Sequence, residues 1–193
     1  MNRRQMLFTA LGASAAIIGS RGAQAQTANT STMSRATAYG FSFESLKGER
    51  IGLSQFAGKP VLIVNTASQC GFTPQYAGLQ SVWTQFRERG LMVIGVPSND
   101  FGGQEPGGAA DIAKTVDNTY HVTFPIAAKT VVKGPNAHPF YKWAAQERPN
   151  DLPSWNFHKY LIGRDGYIAD VFGTRVDPAD TRVVTAIAKQ LSA

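Results

Sequence analysis

An α/β domain, with a mixed central sheet covered by helices on both faces, is the architecture this sequence predicts. Three observations carry that expectation. Pro60 to Asn65 and Leu91 to Val96 are short apolar runs bounded by turn residues, the pattern of strands buried on both sides. Between them runs an amphipathic helical segment. Towards the C-terminus two apolar segments flank Arg164-Asp165-Gly166, as in a hairpin, and a last amphipathic helix follows. The order strand, helix, strand, helix, hairpin, helix fits a single layered α/β unit.

The elements follow in order. Phe41 and Phe43, then Ile51 and Leu53, alternate with polar neighbours, giving a pair of short strands joined around Lys47-Gly48. Pro60 to Asn65 is the first buried strand. Thr73 and Pro74 supply an N-cap and a first-turn proline for a helix whose Tyr76, Leu79, Trp83 and Phe86 share a face; Gly90 ends it, with Arg87 and Arg89 in the last turn. Leu91 to Val96 is the second buried strand. Ala109 to about His121 is a weaker helix, and Pro139 to Ala145 a short one. Phe157 to Ile162 and Tyr167 to Phe172 form the hairpin, and Val184, Ile187, Ala188 and Leu191 mark the closing helix.

The N-terminus reads as an export signal over residues 1–25. Arg3 and Arg4, the apolar stretch Met6 to Gly19 and the small-residue site Ala23-Gln24-Ala25 supply its three parts, and the paired arginines resemble a twin-arginine signal. The apolar stretch falls short of the roughly 20 residues that span a bilayer, so cleavage near Ala25 and a periplasmic destination are expected, with no stable membrane anchor. Residues 26–38 are a Ser/Thr/Ala-rich flexible leader, and 39–193 the folded domain. Loss of the signal lowers the formal charge from +6 to +3. That mild balance, without basic runs interleaved with aromatics, excludes nucleic acid as the expected partner.

Cys70 is the single cysteine of the 193 residues. It lies between the first buried strand and the helix that follows, where unpaired backbone N–H groups and the positive end of the helix favour a thiolate. A small buried hydrophobe is the plainer reading of a lone cysteine. One cysteine cannot form an internal disulfide, so stability must come from packing.

The flanking residues decide between these readings. NTASQCGFTPQYAGL, GVPSNDFGGQEPGG and SWNFHKYLIGRDG resemble the three signature blocks of the glutathione peroxidase family, in order and at compatible separations, from about Tyr39 to the C-terminus. The resemblance implies a thioredoxin-like fold and a peroxidase whose catalytic residues are Cys70 as nucleophile with Gln104, Trp155 and Asn156 as neutral N–H donors. Asn99, Phe101 and Gly102 would support the site loop. Each donor near an ionised sulfur would contribute about 1.5–3 kcal/mol, enough for two to bring a thiol below neutrality. The glycines of the second block lack the lysine and hydroxyl of a nucleotide loop.

Departures from the family pattern shape the expected cycle. Ser98 stands where many relatives carry a second cysteine, and Asp117 about where thioredoxin-using members carry a resolving cysteine. An oxidised Cys70 would therefore need an external thiol, glutathione or a thioredoxin-like protein, and no cofactor. Asp100 replaces a common glutamine and would bring negative charge near the site, raising the thiol pKa. Lys133, Lys159 and Arg164 are the candidate cations for a glutathione carboxylate. His121, His138 and His158 show no ligand spacing, so no metal is expected. The connection from Pro139 to Trp155 is short where tetrameric members of the family carry an extended segment that builds the subunit contact, so the resemblance implies a monomer with an open site that admits hydrogen peroxide and bulky organic or lipid hydroperoxides. A peroxide sensor relaying oxidation from Cys70 to a partner protein is the alternative function. A disulfide oxidoreductase is disfavoured by the absence of C-x-x-C.

Overall fold

The computed structural model describes residues 36–192. The expected export signal and the leader up to residue 35 lie outside them. Ala36 to Ala38 are already tied to the domain: the Trp143 indole donates to the Ala36 carbonyl at 2.9 Å, and the Ala38 N–H to the Gly166 carbonyl at 2.9 Å.

A two-stranded ribbon opens the domain, β1 (Ser42–Glu44) against β2 (Arg50–Gly52), with Phe43 opposite Ile51. The main sheet holds β3 (Val61–Thr66), β4 (Met92–Pro97), β5 (Lys159–Ile162) and β6 (Ile168–Phe172) in the spatial order β4-β3-β5-β6. β3 and β4 are parallel, from Val61 opposite Met92 to Thr66 opposite Pro97. β5 runs antiparallel to β3, with Val64 opposite Lys159 and Val61 opposite Ile162.

Strand alternation divides the core between two faces. Val61, Ile63, Ile94, Val96, Tyr160 and Ile162 pack against Phe43 of the ribbon and Phe140 and Trp143 of α3 (Pro139–Glu147). Leu62, Val64, Val93 and Leu161 face the other way, onto Tyr76, Leu79 and Phe86 of α1 (Gln75–Phe86) and Val183 and Ile187 of α4 (Thr181–Ser192). Both faces are therefore covered, which is why β3 and β4 read as continuous apolar runs.

Two local expectations change. Thr73 does not cap α1; Pro74 occupies that position without a side-chain cap. The Thr73 hydroxyl turns back into the preceding loop, where it accepts from the Cys70 N–H. The weak helix after Gly108 begins as α2 (Ala109–Ala113), then widens into a π-helical stretch at Lys114–Thr119.

The topology gathers the functional loops at one end. Parallel pairing puts the C-terminal ends of β3 and β4 side by side, and antiparallel pairing puts the start of β5 beside them. The segments carrying Cys70, Gln104 and Trp155-Asn156 leave the sheet at that edge, in the place where open α/β sheets hold their ligands.

Candidate active site

Residues 67–74 carry the chain from β3 to α1 in a series of turns with Cys70 at their centre. The Thr73 hydroxyl accepts from the Cys70 N–H at 3.0 Å and lies within donating distance of the Ala67 carbonyl (2.9 Å) and the Cys70 carbonyl (2.7 Å). This fixes the cysteine backbone. Cys70 is buried at 7% exposure, and the Phe72 N–H donates to its Sγ at 3.4 Å.

The loop after β4 packs against that turn. The Gln69 N–H donates to the Gln104 carbonyl at 3.0 Å, and the Ser68 N–H and hydroxyl both donate to Glu105 Oε2 at 2.9 and 3.1 Å. Glu105 is buried, and that burial raises its pKa despite the Ser68 bonds and the Lys129 charge. Asn99 Oδ1 accepts from the Glu105 N–H at 2.9 Å, closing the loop internally. The Lys129 ammonium spans the Glu105, Pro106 and Gly107 carbonyls at 3.2, 3.3 and 2.7 Å.

The third segment precedes β5. Asn156 is fully buried; its Nδ2 donates to Gln104 Oε1 at 3.0 Å and lies 3.4 Å from the Phe101 carbonyl. With Oε1 occupied, Gln104 presents its own NH2 as a donor. Trp155 is 37% exposed and lies over Phe101, ring centres 6.1 Å apart. Gly102, at φ +68°, passes so close that a Cβ there would lie 3.2 Å from Trp155 Cη2. Phe157 has φ +61°, an uncommon conformation for a bulky residue. Asn65 of β3 holds this bend: its Nδ2 donates to the Trp155 carbonyl, its Oδ1 accepts from the His158 N–H, and its carbonyl accepts from the Phe157 N–H at 2.6 Å.

Gln104 and Asn156 are thus in direct contact, Trp155 covers Phe101 and Gly102, and the loop bearing Gln104 is bonded to the turn bearing Cys70. Asp100 is directed elsewhere. Its Oδ2 accepts from the Val132 and Lys133 N–H groups at 2.6 and 3.2 Å, so its charge is engaged by backbone donors rather than left facing the thiol. Ser98 is buried, and Asp117 is exposed on the π-helical stretch.

The three candidate glutathione cations fare differently. Lys159 is fully buried, its ammonium bonded to Gln75 Oε1 at 2.6 Å and to the Val176 carbonyl, so it offers nothing to a ligand on the surface. Arg164 follows β5 at the opposite end of the sheet from Cys70, where its Nε donates to the Gly58 carbonyl. Lys133 lies over the Phe101 ring, 4.6 Å from its centre.

A hollow of about 550 Å³ opens beside the cysteine turn, lined by Phe72, Ser154, Trp155, Thr174, Arg175 and Val176. Arg175 is its cation. No motif contained it, because it follows β6 far from the three blocks. Glu105 lay inside a recognised block, but nothing in the sequence distinguished its carboxylate from a surface one. Among the described residues no cluster of three or more His, Cys, Asp or Glu side chains could hold a metal ion, and no helix is long and apolar enough to cross a membrane.

The family model for glutathione peroxidase matches residues 38–145. Hydroperoxy fatty acid reductase gpx1 of Synechocystis sp. is 46% identical over 151 residues, covering 74% of this chain and 89% of that protein. The crystal structure of Trgpx in apo form has a TM-score of 0.68 at 34% identity, over 83% of this chain and 98% of that one. A thioredoxin family thiol:disulfide interchange protein from Chlorobium tepidum, 16% identical, gives a TM-score of 0.60 over 78% and 92% of the two chains, which shows the shared thioredoxin-like fold. The chain belongs to the glutathione peroxidase family.

Proposed function

We infer that this chain is a one-cysteine, thiol-dependent peroxidase in which Cys70 is the nucleophile and Gln104, Trp155 and Asn156 are its neutral donors. The observation that carries the reading is the bonding of the Cys70 turn to the Gln104 loop, with Asn156 on Gln104 and the Phe72 N–H on the sulfur. The thiolate attacks the terminal peroxide oxygen, the O–O bond breaks, and the alkoxide or hydroxide leaves and takes a proton, while Cys70 becomes a sulfenic acid. One external thiol then condenses with the sulfenic acid, releasing water and leaving a mixed disulfide. A second thiol displaces Cys70 and forms the external disulfide. No prosthetic group enters the cycle.

The hollow supports organic hydroperoxides as substrates. Phe72, Trp155 and Val176 offer apolar surface and Arg175 a cation, a combination that suits a chain ending in a carboxylate. The name of the Synechocystis relative points the same way. Periplasmic residence after removal of residues 1–25 and a monomeric state complete the proposal; the composition of the N-terminus and the short Pro139 to Trp155 connection support them.

The test is intact mass after one equivalent of hydrogen peroxide, with and without a sulfenic-acid trap, then after glutathione. Gain of one oxygen at Cys70, reversed by thiol, is expected. Cys70→Ser should abolish peroxide consumption, and Gln104→Ala and Trp155→Phe should slow it by about 10–100-fold. Wild-type rates in Cys70→Ser would overturn the assignment. A sensor that relays oxidation would instead oxidise once and turn over only with a stoichiometric protein partner.

A further inference from the structure

Lys159 is a buried cation that the proposed cycle does not use. It sits on β5 with no exposed surface, beneath the first turn of α1. Its ammonium donates to Gln75 Oε1 at 2.6 Å and to the Val176 carbonyl, while Gln75 Nε2 donates to the Thr174 carbonyl at 2.7 Å. Both partners of the ammonium are neutral, and the salt bridges among the described residues do not include it. Burying an ion without a paired counter-charge is costly, and such sites gather where the charge acts on chemistry.

The position is informative because of what α1 begins beside. Gln75 is the first residue of α1 and Cys70 lies in the turn leading into it, so the cation stands at the helix end that already carries partial positive charge. A helix N-terminus repels an ammonium and attracts a thiolate, so the placement is unfavourable for Lys159 alone and favourable for the pair.

We propose that Lys159 is a positioning residue whose buried ammonium, acting across the first turn of α1, supplies the positive potential that keeps Cys70 ionised. The proposal rests on Cys70 being the reactive thiol. Burial lowers the Lys159 pKa to about 7, and the Asp177 carboxylate, the charged group acting on it, opposes that shift. Other ionisable groups face the pair. His158 adjoins Lys159 and is held neutral by burial and by the lysine's charge. Glu105 reaches the cysteine turn through Ser68, Lys129 stands on the Glu105 carbonyl, and Arg175 shares the hollow with Phe72.

The experiment reads the thiol directly, without peroxide turnover. Rates of Cys70 alkylation by iodoacetamide are measured from pH 4 to 9 in the reduced wild type and in Lys159→Met, Lys159→Gln and Lys159→Arg. Both neutral variants should raise the thiol pKa by on the order of one unit, and Lys159→Arg should return it towards wild type. A purely structural staple would leave the pKa in place in any folded variant, and that result overturns the proposal. Should the neutral variants fail to fold, linkage supplies a reciprocal test. The Lys159 Nζ titration, followed by nitrogen NMR, should move to lower pH in Cys70→Ser than in wild type, because removing the thiolate removes an attractive charge. Identical lysine titrations would equally refute it. A thiol that titrates near 8.5 in every variant would instead strike at the activated-thiol reading itself.

Discussion

Glu105 Oε2 accepts two hydrogen bonds from one residue, the backbone N–H and the hydroxyl of Ser68, at 2.9 and 3.1 Å. Ser68 lies two positions before Cys70 and Glu105 one position after Gln104, so this part-buried pair ties the Cys70 turn to the Gln104 loop. Deleting the carboxylate would leave both Ser68 donors without their partner. Glu105→Ala should therefore lose about 2–3 kcal/mol of stability. Glu105→Gln keeps an acceptor oxygen and removes a charge that burial disfavours, so it should lose much less. Urea unfolding of the two variants at pH 7 gives the comparison, and equal losses would show that Ser68 does not depend on the acceptor.

Lys129 reinforces the same loop from outside. One ammonium gathers three consecutive carbonyls, Glu105 to Gly107, which a neutral side chain cannot do. Its exposure limits the effect on global stability to about 1 kcal/mol. The larger effect should be local. In Lys129→Met, hydrogen exchange should quicken over residues 104–108, and peroxide reduction should fall in step with Gln104→Ala. Unchanged exchange in that segment would remove Lys129 from the account.

Gly102 offers a steric test of the Trp155 position. A side chain there meets a left-handed backbone at φ +68° and the indole at 3.2 Å, at a cost of roughly 1–2 kcal/mol for the conformation alone. Gly102→Ala should displace the ring and change the tryptophan emission, a change that Trp155→Phe in the same background abolishes. Peroxide reduction should drop with it. Unaltered emission would mean that the loop yields instead of the indole.

The sequence discloses the layers of this fold because β3 and β4 are buried on both faces, and no solvated side interrupts their apolar runs. Its three blocks place Cys70, Gln104, Trp155 and Asn156 at one sheet edge. What escapes a linear reading depends on tertiary reach. Arg175 enters through the turn after β6, Asn65 holds a bend 90 to 93 positions away in sequence, and Lys129 finds its carbonyls across a gap of over 20 residues. Thr73 shows the same limit locally. Its type and place suit a helix cap, but the Cys70 turn offers its hydroxyl a nearer donor. Lys159 looked like a ligand for glutathione because lysines are usually solvated; β5 is central, and its register against Val64 turns that side chain inward.

His158 gives the domain a sensitivity to acid. The ring is 4% exposed, meets Tyr160 at 4.7 Å between centres, and has no partner at Nε2. Burial, helped by the neighbouring Lys159 charge, lowers its pKa from 6.5 to about 4. Between those values the unfolded chain binds a proton that the folded one refuses, so stability is complete above pH 6.5 and declines as pH falls towards 4. The shift corresponds to a loss on the order of 3 kcal/mol. His158→Phe keeps a ring at the site and cannot be protonated. Its urea midpoint should therefore change less than that of wild type between pH 7 and pH 4.5, and parallel declines in the two proteins would place the acid sensitivity elsewhere.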